Sequence, residues 1–141
     1  MNRERVKIAI KILKRNKAIG HPFNMERWQM VDGNASTTEE QLHKCGTAAC
    51  FAGLVAVSPE FQAEKGSADV DLGYPIFQDH FGVSAIEKWL DIRQTIAEHL
   101  CGFEFANSFE PNTSLTENDI IQRLEYLLKM GEEMYTIEYG L

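Results

Sequence analysis

The chain has 141 residues and a mass of 16.0 kDa, with 44% apolar residues, 25% charged residues and a formal net charge of −7. That composition excludes a wholly disordered chain, and its longest apolar run, about ten residues, is half of what a membrane-spanning helix needs. Half of the 14 lysines and arginines fall in the first seventeen residues, so residues 1–20 carry +6 and residues 21–141 carry −13, a balance that argues against broad nucleic-acid binding.

Residues 2–19 predict an amphipathic helix ended by Gly20, with Val6, Ala9, Ile10 and Leu13 on the apolar stripe. Arg3, Lys7, Lys11, Lys14 and Arg15 recur on the opposite face. They form either a solvated basic face or a strip that docks on phosphate, on the chain's own acidic remainder or on another copy. His21-Pro22 enforces an extended link, and Asn24 can cap a short turn that anchors Trp28 on the core. Asp32-Gly33-Asn34 is a turn signal, and residues 36–40 read as a loop or a short helical start.

Residues 48–57 are apolar on every side, which predicts a central helix capped by Thr47 after a permissive Gly46. Its N-terminus would place partial positive charge beside Cys45. Ser58-Pro59 opens one more short helical turn. Residues 65–74 read as a loop with a short strand near Val70, and Asp69 and Asp71 lack the spacing of a calcium loop. Residues 75–81 predict a short helix ending at Gly82, and Ser84 with Glu87 a capping box that opens a helix running to Gly102. Arg93 interrupts its apolar stripe, so it must snorkel, pair with an acid or face a ligand. Residues 103–115 form a long connection with Phe103, Phe105 and Phe109, and Thr116 with Asp119 opens a last helix that ends at Gly131. The tail holds Met134, Tyr135, Ile137 and Tyr139, enough apolar surface to dock within the chain or on a second protomer.

Three candidate chemistries follow. A cysteine-dependent hydrolase or transferase would use Cys45, with its thiolate favoured by a helix N-terminus, and His80 or His99 as base. A metal site would use the two His-x-Cys pairs, His43 with Cys45 and His99 with Cys101, although such spacing needs non-helical backbone. A binding site for a small anionic ligand would use the amides of Gly46, Thr47 and Ala48, with Lys11, Trp28 and Arg93 around it. The odd cysteine count is unlike a disulfide framework and suits a reducing compartment; the opening residues are charged, and a cytoplasmic location is expected. No phosphate loop, dinucleotide fingerprint, zinc-protease or esterase motif is present.

Phe23-Asn-Met25 with Trp28, Cys45-Gly-Thr-Ala-Ala-Cys50-Phe-Ala-Gly53, Phe81-Gly-Val83 and Leu115-Thr116 together resemble a family of small uncharacterised phage and bacterial proteins with a Cys-Gly-Thr-x-x-Cys-x-x-Gly segment. The resemblance spans most of residues 2–130. Asn24 stands where that family usually has Asp, and Leu54 where His or Trp is common, which removes any chemistry that position supplies in relatives. The resemblance implies a helical domain and a phage or mobile-element setting, and supplies no mechanism.

The resulting expectation is a mainly α single domain over residues 1–141, a compact bundle of four to six helices with minor β segments. Its expected role is that of a non-enzymatic accessory protein binding a small anionic, nucleotide-like ligand or a host protein, with counter-defence as one version. No cofactor is implied. Besides the cysteine enzyme, the competing class is a structural module that oligomerises through the first helix or the tail.

Overall fold

The computed structural model describes residues 1–30, 33–104 and 110–141. The chain is mainly α: α1 (Arg3–Ala18), α2 (Glu39–Cys45), α3 (Phe51–Val57), α4 (Pro59–Ala63), α5 (Val83–Leu90), α6 (Gln94–Leu100), α7 (Glu117–Met130) and α8 (Glu132–Tyr139), with β1 (Ser67–Ala68), β2 (Pro75–Phe77) and β3 (His80–Phe81) between α4 and α5. Eight helices among the described residues replace the expected four to six. The count rises because the stretch predicted as one helix from Ser84 to Gly102 is two and because α2 and α8 are helices in their own right.

Helix α3 lies at the centre. All seven of its residues are buried, and it touches α1, α2, α4, β1 and β2. It begins three residues later than the pattern predicts, because residues 47–50 are extended. Ala49 bridges Phe23 on one side and Gln29 on the other, its carbonyl accepts the Asn24 amide at 3.1 Å, and the Ala48 carbonyl accepts the Met30 amide at 2.8 Å. These partners satisfy the backbone better than an extra helical turn would. Cys50 is the N-cap instead of Thr47, its sulfur accepting the Gly53 amide at 3.4 Å.

Helix α1 packs its apolar stripe on α3, α5 and α7. Its basic face meets acids of this same chain. Arg15 holds both Glu39 at the start of α2 (2.9 Å) and Glu60 in α4 (2.7 Å), Arg5 bonds Glu64 at 2.8 Å, and Lys14 pairs with Glu125 of α7 at 3.0 Å.

Residues 75–81 form a hairpin, correcting the predicted helix. Gln78 and Asp79 sit at φ 48° and 64°, the two-residue left-handed turn that matches strand twist, and β2 pairs antiparallel with β1 on one side and β3 on the other. The short strand expected near Val70 lies at Ser67–Ala68. The predicted helix from Ser84 to Gly102 is two helices: Asp91, at φ 54°, stops α5, and Arg93 caps α6. Ser84 does not cap α5, which begins at Val83 after Gly82; its hydroxyl bonds the His80 ring. The predicted capping box at Thr116 and Asp119 is present with both reciprocal bonds. Helix α8 folds back on α6 and α7, burying Tyr135 completely. Asp32, Phe105 and Phe109 lie outside the described residues. Among the described residues no helix is long and apolar enough to cross a membrane.

Candidate functional site

The described residues form a cleft of about 320 Å³ whose lining includes Met25, Glu26, Arg27, Trp28, Gln29, Cys50, Leu72, Cys101, Phe103 and Pro111. One wall is the irregular segment 23–30, strapped across residues 48–50 by the backbone bonds above and by the Cys50 amide, which donates to the Trp28 carbonyl at 3.3 Å. The N-cap of α3 supplies Cys50 and the C-cap of α6 supplies Cys101, both only 5% exposed. The β1–β2 loop contributes Leu72, and the chain beyond α6 contributes Phe103 and Pro111.

Two glycines make this wall possible. A Cβ on Gly53 would collide with the Trp28 carbonyl, and one on Gly73 with the side chain of Gln29. Gln29 is held by both ends of its amide: Nε2 donates to the Ser36 carbonyl at 2.7 Å, and Oε1 accepts the Ser36 amide at 2.9 Å. The Trp28 ring packs edge-on to Tyr74 at 6.4 Å, and Tyr74 edge-on to Phe81 at 6.2 Å. This aromatic chain runs from the cleft to the hairpin.

The walls offer hydrophobic contact and little acid–base chemistry. Burial pushes the Cys50 thiol up to about 11 and raises Cys101 well above its ordinary value, so both are neutral thiols at pH 7 and poor nucleophiles.

The residues expected to carry function are dispersed. Cys45 is exposed at the C-terminal end of α2, so the helix-dipole argument for its thiolate does not apply; Gly46, at φ 67°, is the left-handed cap of that helix. The Cys45 sulfur lies 3.0 Å from Thr47 Oγ1 and 3.6 Å from Ser36 Oγ. Partial burial would raise its pKa, but these hydroxyls and nearby amides outweigh that effect and hold it below its usual value. His80 shares a hydrogen bond with Ser84 at 2.8 Å. His99 is buried and shares one with the Tyr135 hydroxyl at 2.7 Å. His43 stacks obliquely on His21, 5.0 Å between rings, and His21 Nε2 meets the Thr47 carbonyl at 2.6 Å. Among the described residues no three His, Cys, Asp or Glu side chains are grouped to hold a metal ion.

The anion-site residues also attach to different parts of the fold. Gly46 ends α2, and Thr47 and Ala48 belong to the connector between α2 and α3 rather than to a helix N-terminus. Lys11 is 70% exposed and reaches Glu60 of α4 at 4.0 Å. Arg93 is exposed, off the apolar stripe, and its backbone amide donates to Glu132 at 2.7 Å. Trp28 alone among them lines the cleft. Met25 and Phe103 join it there, together with Leu72 from the loop read only as residues 65–74. The sequence signal for Leu72 was an apolar–acidic alternation, Asp69-Val70-Asp71-Leu72, in a segment too short to form a strand of its own.

No protein-family model, curated protein or solved structure matches this chain.

Proposed function

We propose that this protein is a non-catalytic binding module whose site is the cleft beside Trp28, and that its occupant is a segment of another protein. The observation that carries this reading is that the apolar cleft opens onto an apolar margin. Leu72 is 59% exposed, with Val70 and Phe81 also strongly exposed on the loop and hairpin beside it. Large side chains left in water next to a preformed apolar cavity mark binding surfaces. The compact anionic ligand finds less support, because the connector amides that would have received it are not at a helix N-terminus and the lining is mainly apolar.

The test uses 8-anilinonaphthalene sulfonate, which lights up in apolar sites. The native protein should bind it at one saturable site, and Leu72→Ser should weaken that site at least fivefold without lowering the melting temperature. Absence of native-state emission, or emission indifferent to Leu72→Ser, would contradict the assignment. Stabilisation by nucleotides or cyclic nucleotides at millimolar concentration would instead restore the small-ligand version.

A second reading, an oligomerising module, has its own observation in the exposure of Met130, Met134 and Ile137 around α8. Sedimentation showing a monomer at every concentration removes it.

A further inference from the structure

We infer that the segment received by the cleft carries an apolar anchor flanked by lysine or arginine. This rests on the reading of the cleft as the binding site and adds the chemistry of the partner. The loop that presents the margin is built, not loose. Asp69 Oδ2 accepts the amides of Asp71 and Leu72 at 3.1 and 2.7 Å, the Asp69 amide donates to the Tyr74 carbonyl at 2.9 Å, and the Val70 carbonyl accepts the Ala35 amide at 2.9 Å. A loop pinned at four points nevertheless holds Val70 and Leu72 out in water, 60% and 59% exposed. Such a loop keeps its apolar side chains ready for an incoming surface, so little ordering entropy is lost on binding.

The charge around that surface is one-sided. Among the described residues, the lining and its loop carry the carboxylates Glu26 and Asp71, and Asp69 capping the loop's own amides, against one cation, Arg27. No residue of α1 is in that lining, and its Arg5, Lys14 and Arg15 are engaged elsewhere, with Glu64, with Glu125, and with Glu39 and Glu60. Outside residues 1–20 the chain carries −13. An acidic flank would be repelled on approach, whereas a basic flank would be steered in, with the apolar anchor supplying most of the affinity.

The experiment is selection of a random peptide display library on the immobilised full chain, followed by anisotropy titration of the enriched peptides as fluorescent synthetic peptides. Enrichment of an aromatic or aliphatic residue flanked by Lys or Arg is expected. Binding should weaken about tenfold or more in Leu72→Ser, and severalfold in Asp71→Asn or on raising the salt. Peptides that depend on Leu72 but carry neutral or acidic flanks would overturn the inference and leave the cleft as the site. Peptides indifferent to Leu72→Ser, or no enrichment at all, would overturn the inference, and the dye titration above then decides separately whether the cleft itself stands. Unchanged melting temperatures for both variants establish that the losses are not unfolding.

Discussion

The carbonyl group of Trp28 occupies the space where a Cβ on Gly53 would stand. Backbone meets backbone there, so neither side can yield by changing rotamer, and the strap that forms the cleft wall lies directly on the first turn of the central helix.

Gly53→Ala should therefore cost about 2–3 kcal/mol, the upper part of the range for overpacking, because backbone faces backbone. Gly46→Ala is the control. Its Cβ would meet nothing within 4 Å, but the φ of 67° makes any side chain strained, for about 1 kcal/mol. Urea denaturation of both variants measures the difference. Only Gly53→Ala should also alter the fluorescence of Trp28.

Arg15 joins two carboxylates, Glu39 and Glu60, from separate helices. Its hydrogen bonds, ahead of its charge, hold the Glu60 carboxyl below its ordinary value although burial opposes this. A depressed carboxylate contributes stability above its unfolded pKa that is lost as pH falls through the folded one. Arg15→Met should destabilise by about 1–2 kcal/mol at pH 7, between the values for exposed and buried pairs. The gap to wild type should close as pH drops below about 4.

Burial, with Arg123 nearby, lowers His99 to about 4 from its ordinary 6.5, and the neutral ring shares its hydrogen bond with the Tyr135 hydroxyl. The unfolded chain binds the proton first, so the native state loses stability as pH falls from 6.5 towards 4, by up to about 3 kcal/mol from this residue. Denaturation midpoints measured across that window should fall for the wild type and fall less for His99→Gln. Equal slopes would show that His99 titrates normally.

Under native conditions at neutral pH, iodoacetamide should modify Cys45, which is exposed with its pKa held down, and leave Cys50 and Cys101, both buried and raised, unmodified. Intact mass measurement should show one adduct natively and three in urea. Labelling of Cys45 follows from exposure alone, and only hydrolysis of a substrate abolished by Cys45→Ser would argue for an enzyme.

Legibility in the sequence followed the range of the interaction. The end of α1 and the openings of α7 and α4 could be read from local signals: Gly20, the Thr116–Asp119 box and Ser58-Pro59. The burial of α3 followed from its lack of a polar face. What could not be read depended on distant partners or on unfavoured backbone. Gln78, Asp79 and Asp91 adopt positive φ without glycine, which turned one expected helix into a hairpin and split another. Residues 47–50 are extended because segment 23–30 supplies their hydrogen bonds. The cleft was illegible for the same reason. Trp28 could be named and Met25 lies on the same strap, but Leu72 and Phe103 come from segments that meet it only in three dimensions.

The most direct test of the binding-module account is methyl and amide chemical-shift mapping of the full chain titrated with a peptide from the display selection. Shifts are predicted at Met25, Trp28 and Leu72, with the Gly46 and Ala48 amides and Lys11 undisturbed. Shifts concentrated on Lys11 and the 46–48 connector, with Met25 and Leu72 silent, would contradict it.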